Sequence, residues 1–245
     1  MSGRGADGVS NETPEAPSAR PEEGPVREHR KLRAFSRHLF GGLYFPANDS
    51  GIPRWIRGAE TVDRCYAYVD KFGVALDIGA HVGLYALRLA RRFEAVYAFE
   101  PDIHNFDCLV TNVVRLGNIH CCQAALGASS VEVRMVGKPS VSKRVEHFTT
   151  EQEAKVCLTA VQMRPLDWFG LEPDFVKIDV EGYERLVLVG GEKTFRKHRP
   201  VVILEDKGHW ARYGSSSPLS LLENWGARQM EHLDPDVIYR WPNER

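Results

Sequence analysis

From Gly73 onward, short apolar runs alternate with segments in which apolar residues recur every three or four positions. GVALDIG (73–79) reads as a buried strand, and HVGLYALRLARRF (81–93) sets Val82, Tyr85, Leu89 and Phe93 along one side of a helix. AVYAFE (95–100) and IHNFDCLVTNVVRL (103–116) repeat the strand and the helix, and NIHCCQAAL (118–126) is a third strand. VEVRMVG (131–137) and KVCLTAVQM (155–163) read as an antiparallel pair around a loop. FVKIDVEG, a helix around YERLVLVGGEKTF, the strand PVVILE, a helix begun by SSPLSLLENWG, and the strands ARQMEHL and DVIYRWP finish the chain. Strands alternating with helices predict an α/β fold, a mostly parallel sheet with both faces covered.

The first 72 positions follow other rules. Residues 1–28 are Gly, Pro, Ser, Glu and Asp with almost no large apolar side chain, too little to offset the entropy of ordering them, so a disordered tail is expected there. HRKLRAFSRHLF (29–40) interleaves Arg30, Lys31, Arg33 and Arg37 with Leu32, Phe35, Leu39 and Phe40 at helical spacing. It reads either as a basic arm for RNA or phosphate, or, the reading preferred here, as a helix packing its apolar side on the domain. With a Gly- and Pro-rich loop and a helix over 59–71, the span 29–72 is taken as a helical and loop segment packed on a domain at 73–245.

The whole composition narrows the function classes. The 245 residues are 43% hydrophobic and 27% charged with a net charge of -1, which gives no global electrostatic footprint for nucleic acid or a membrane surface. No apolar run approaches the roughly 20 residues of a membrane span, and the first residues lack the apolar stretch of a secretory signal. Five cysteines without a CxxC pair fit a reducing compartment, so a cytoplasmic location is expected. Cys121 and Cys122 are adjacent on a strand and point to opposite faces, which argues against a disulfide between them.

Candidate chemistry starts at the turn after the first strand. Asp77-Ile78-Gly79-Ala80-His81-Val82-Gly83 puts two glycines where a backbone turns tightly and a ligand can come close. It is neither G-x-G-x-x-G nor a P-loop, and Asp77 would repel a phosphate but attract a cation. The second strand ends in Glu100, where such sheets offer a carboxylate to ribose hydroxyls. Separately, Asp77 could cap a helix and Glu100 could be a solvated strand end. Together they describe a site for a nucleoside that carries an amino acid, as S-adenosylmethionine does.

These residues, with Phe99-Glu100-Pro101 and Val176-Lys177-Ile178-Asp179-Val180-Glu181-Gly182-Tyr183-Glu184, resemble the FkbM family of S-adenosylmethionine-dependent methyltransferases from Ala75 to about Glu205, a little over half of the chain. The third motif is the most specific, and Gly190 and Glu205 follow at similar intervals. His81 stands where family members often have Asn. The resemblance implies the class I methyltransferase fold, a Rossmann-like three-layer sandwich with seven strands in the order 3-2-1-4-5-7-6 and an antiparallel last strand. It implies S-adenosylmethionine held by Asp77, Gly79, Ala80, His81, Gly83, Glu100 and Pro101, and methyl transfer commonly to a hydroxyl oxygen.

Methyl transfer needs an aligned acceptor and a place for its proton. Alternate strand residues share a face, so Lys177, Asp179 and Glu181 can lie together at the carboxyl edge where ligands bind such sheets. Asp179 is the leading candidate for acceptor positioning or general base and Glu181 the second. His209 is a third, although a loop His is commonly just exposed. Asp179, Glu181 and Glu205 carry oxygen ligands suited to a hard cation, but no spacing demonstrates one, and no metal is assigned. The expected partner is a small-molecule or glycan hydroxyl acceptor. Two alternatives stand beside it: a nucleic-acid 2′-O-methyltransferase, disfavoured because its Lys-Asp-Lys-Glu tetrad lacks an acid at the end of DVIYRWP, and a non-catalytic cofactor-binding module acting through the basic segment.

Overall fold

The computed structural model of the protein describes residues 37–47, 49, 59–136, 144–146 and 159–242. All of these residues fall within one compact unit, 34–245. The expected tail at 1–28 and the start of the expected basic helix lie outside the described residues.

The described end of that expected helix is extended. Strand β1 (Arg37–Phe40) pairs antiparallel with β2 (Leu43–Pro46) in a hairpin. The expected helix over 59–71 is shorter and irregular: one 3-10 turn, α1 (Val62–Cys65) and another 3-10 turn, ending where Val69 becomes extended. Next come β3 (Val74–Ile78), α2 (Leu84–Leu89), β4 (Ala95–Phe99), α3 (Ile103–Val113) and β5 (Ile119–Cys122). Helix α3 begins sharply because the Asp102 carboxylate accepts the backbone N–H groups of His104 and Asn105, both at 3.1 Å.

Short β6 (Ala125–Leu126), β7 (Val131–Val136), β8 (Arg144–Glu146) and β9 (Thr159–Arg164) form a separate four-stranded sheet in the order β6-β9-β7-β8, with the expected β7–β9 pairing antiparallel. The chain then runs through β10 (Phe175–Ile178), α4 (Glu184–Gly190), α5 (Glu192–His198), β11 (Val201–Glu205), α6 (Pro218–Asn224), β12 (Arg228–His232) and β13 (Asp236–Arg240). The single helix expected across 183–195 is two, broken at Gly190-Gly191.

Seven strands make the main sheet in the order β12-β13-β11-β10-β3-β4-β5, and β13 is antiparallel to both its neighbours. This is the expected class I methyltransferase topology. Strand period two divides the core: Leu76, Ile78, Val176, Ile178, Val202 and Leu204 face α4, α5 and α6, while Ala75, Phe175, Val201 and Ile203 face α1 and α2. Because both faces are covered, the central strands are apolar at nearly every position. The polar exceptions gather at the carboxyl edge. Among the described residues no helix is long and apolar enough to cross a membrane.

Candidate active site

The turn after β3 is built to lie flat against its neighbours. Gly79 has φ 78°, and a Cβ there would sit 1.9 Å from the Asp179 carbonyl oxygen, so no other residue fits without moving the end of β10. The N–H groups of Gly79 and Ala80 both donate to the Phe99 carbonyl, at 3.0 and 2.9 Å, which fixes the turn to the end of β4. His81 follows at φ 52°, a left-handed conformation that His and Asn both tolerate better than most residues.

Glu100 is held from two sides. Its carboxylate accepts the His81 N–H at 2.8 Å and the Asp102 N–H at 2.9 Å, while the side chain is nearly buried. Burial, reinforced by the Asp102 charge, pushes its carboxyl up to about 8 despite these hydrogen bonds. Glu100 therefore has an oriented carboxylate that gains from further donors.

A cleft runs from Glu100 to the end of β10. Gly79, His81, Glu100 and Pro101 line one part of it, and Asp179 and Glu181 the other. Its apolar walls are Phe99, which belongs to the motif that carries Glu100, and Leu126 and Met135, which come from distant elements that no local signal marked. Asn105 also lines it and was missed, although its place in the first turn of α3 beside the Glu100 motif was a usable signal.

Asp77, Ala80, Gly83 and His209 do not line this cleft. Asp77 is completely buried, and the cation it faces is Lys177 of the same chain, its direct register neighbour, at 3.4 Å. Asp77 was expected to meet a ligand cation; in the fold it faces a protein cation, and burial still raises its carboxyl above the ordinary range against the pull of Lys177. Lys177 also donates to the Gly79 carbonyl at 2.7 Å and lies 3.9 Å from Asp179. Burial opposes its charge, and the carboxylates of Asp77 and Asp179 overcome that, holding the ammonium above its ordinary range. His209 stands behind Glu181, Nδ1 to Oε2 3.5 Å.

The acids at the carboxyl edge do converge. One oxygen each of Asp179, Glu181 and Glu205 lies within 4.8 Å of the others. Lys207 pairs with Glu205, and Lys177 approaches Asp179, so protein ammonium groups already balance part of the charge, and no metal ligand is assigned. Burial and the Asp179 charge raise Glu205 to about 7, against the pull of Lys207. The loop carrying Glu181, itself left-handed at φ 56°, is braced by Glu184, which accepts the N–H groups of Val180 at 3.2 Å and Gly182 at 2.9 Å.

One sequence expectation is reversed by strand direction. The last strand has no acid at its end, but β13 runs antiparallel, so its beginning lies at the carboxyl edge, and Asp236 there stands opposite Glu205.

The Methyltransferase FkbM domain model matches residues 77–228. The hexuronic acid methyltransferase AglP of Haloferax volcanii is 26% identical over 152 residues, which are 61% of this chain and 63% of that protein. Among solved structures, a methyltransferase FkbM from Methylobacillus flagellatus is similar with a TM-score of 0.47 and 19% identity over 70% of this chain and 44% of its own. A SAM-dependent methyltransferase from Aquifex aeolicus gives a TM-score of 0.44 and 12% identity over 79% and 93%. The chain thus spans under two thirds of the length of AglP and less than half of the Methylobacillus protein. The matched residues run from Asp77 beneath the glycine turn, through Glu100 and Asp179, to the start of β12, and the chain belongs to the FkbM methyltransferase family.

Proposed function

We propose that the protein transfers a methyl group from S-adenosylmethionine to a hydroxyl oxygen of a small molecule or sugar. The observation that carries this reading is the Glu100 carboxylate, oriented by two backbone N–H groups at one end of a cleft that has Asp179 at the other. Ribose presents two hydroxyl donors, and a carboxylate accepts both without rearrangement. The apolar walls at Phe99, Leu126 and Met135 suit a flat base, and the left-handed Gly79 lets the ligand approach main chain. When bound, the donor supplies a methyl carbon on a sulfonium, open to in-line displacement.

Of the remaining candidates, Asp179 aligns the acceptor oxygen, Glu181 adds charge beside it, and His209 acts only through Glu181. Pro101 shapes the wall beside Glu100, whereas Ala80 and Gly83 hold the turn. Family membership supports methyl transfer, and a relative named for hexuronic acid supports a sugar acceptor.

Calorimetry with S-adenosylhomocysteine tests the donor half. Glu100→Ala should weaken binding by about 1.5–3 kcal/mol, the scale of a lost charge-assisted hydrogen bond. Unchanged affinity in a folded variant would remove Glu100 from the ribose. Mass spectrometry of metabolite extracts incubated with methyl-labelled donor then identifies the acceptor directly.

A further inference from the structure

Strand registers decide which polar side chains share a face at the carboxyl edge. Asp77 is paired with Lys177, Lys177 with Ile203, Ile203 with Ile238, and Glu205 with Asp236. Counting by twos, Asp77, Lys177, Glu205 and Asp236 all lie on the face packed by α1 and α2. Asp236 is also held by a directed chain of hydroxyls. The Thr61 hydroxyl hydrogen-bonds Asp236, and it lies 2.8 Å from the Tyr85 phenol oxygen. An ionised carboxylate only accepts, so Thr61 gives its one proton to Asp236 and accepts from Tyr85. The ring of Tyr85 has Lys177 Nζ 5.0 Å from its centroid, and Lys177 Nζ is 3.9 Å from Asp179. A continuous polar wall therefore leads from Asp179, at the cleft, to Asp236, which the cleft does not include.

Resting on the methyl-transfer reading above, we propose that the acceptor hydroxyl lies where the cleft meets the carboxyl edge, with Asp179 fixing the reacting oxygen and Asp236, opposite Glu205, taking its proton, and that the acceptor is a neutral hydroxyl compound such as a glycoside. The hydroxyl oxygen bonds to the methyl carbon as the sulfur–carbon bond breaks. That bond's electron pair stays on sulfur, and the hydroxyl proton passes to the Asp236 carboxylate and from there to water.

The surroundings of Asp236 set when it can take a proton. Lys177 sits beside Asp179. Around Asp236 stand Asp179 and Lys177 from β10, Glu205 and Lys207 from β11 and its following loop, Tyr85 from α2 and Cys65 from α1. Burial first, then the Asp179 charge, raises Asp236 to about 6, against Lys177, the Thr61 hydroxyl and Lys207. A proton acceptor near neutrality is the result. The edge is anionic: Asp179, Glu181, Glu205 and Asp236 lie there, while Lys177 is buried and Lys207 is tied to Glu205. Such an edge repels a carboxylate or a phosphodiester and accepts hydroxyl donors.

Transfer of labelled methyl to methyl glucopyranoside, methyl glucuronoside and a short RNA tests this, with S-adenosylhomocysteine affinity measured on the same preparations. The wild type should prefer the neutral glycoside and, with S-adenosylmethionine held saturating at every pH so that Glu100 ionisation does not limit binding, lose turnover below about pH 6. Asp236→Asn should keep homocysteine-product affinity, lose about 10²–10⁴ in turnover and lose the acidic limb, and Thr61→Val should displace that limb. Carbon NMR of labelled aspartate in the protein loaded with S-adenosylhomocysteine should show the Asp236 carboxyl titrating near 6 and shifting when methyl glucopyranoside is added. An acidic limb intact in Asp236→Asn, or a resonance indifferent to the glycoside, overturns the assignment. Preference for the glucuronoside or RNA, or transfer to none of the three with S-adenosylhomocysteine still bound, overturns the acceptor class alone. Failure of the wild type to bind S-adenosylhomocysteine instead defeats the donor reading.

Discussion

In the proposed site the ionised Glu100 accepts both ribose hydroxyls best, yet burial raises its carboxyl from 4.5 to about 8. The native protein therefore holds this proton more tightly than the unfolded chain between those values, and the Glu100 contribution to stability falls as pH rises through that window. Ligand hydroxyls favour the ionised form, so binding at pH 7 should release a proton, and affinity for S-adenosylhomocysteine should climb with pH and level off above about 8. Calorimetry in two buffers of different ionisation enthalpy reads the proton directly, and Glu100→Gln should abolish the dependence. For Asp179 the expectation concerns rate: Asp179→Asn should retain most donor affinity while turnover falls by roughly 10²–10⁴, and Glu181→Gln should lose less. Parallel loss of folding and affinity in Asp179→Asn would make the residue structural.

At the scale of elements, the loop from Asp179 to Glu184 is the most constrained. Gly182 has φ 105°, and a Cβ there would meet the His209 backbone carbon at 2.7 Å, so Gly182→Ala should lower the melting temperature and displace Glu181 and His209 together. About 2 kcal/mol, or roughly 4–8 °C for a domain of this size, is expected. The β1–β2 hairpin is pinned more lightly. Asn112 on α3 accepts the Tyr44 N–H at 2.7 Å and donates to the carbonyls of Tyr44 and Val82 at 2.9 Å, while Phe45 is buried beside Val82 and Cys108. Asn112→Ala should cost about 1–2 kcal/mol because Tyr44 remains partly wet, and hydrogen exchange at the Tyr44 amide should accelerate before global unfolding does. Equal protection in both proteins would show that Phe45 and the Arg37 contacts with Asp107 and Thr111 hold the hairpin without Asn112.

For the whole molecule, removal of residues 1–28 should leave the melting temperature and S-adenosylhomocysteine affinity unchanged, since that composition offers little apolar surface to bury. A fall of many degrees would place part of the segment in the core. The molecule's seven-stranded sheet gathers its chemistry at one edge by direction alone: parallel strands β3, β4, β10 and β11 bring the residues at their ends, and antiparallel β13 brings the residue at its beginning.

The sequence by itself determined the alternation of strands and helices, because burial on both faces leaves a local apolar signature in GVALDIG, AVYAFE and PVVILE. It also determined the positions of Gly79, Glu100 and Asp179, whose cues are a turn or strand end adjacent in the chain. It misjudged β1, where Leu39 and Phe40, read as the end of a helix, lie exposed on a strand paired with β2, and Phe45 of β2 makes the packing on α3. Only tertiary structure decided that Asp77 answers Lys177, since their 100-residue separation closes through strand register. Only tertiary structure, likewise, put Asp236 beside Glu205 and under Thr61. An antiparallel strand exchanges the meaning of its two ends, and nothing local to DVIYRWP records which way its neighbour runs.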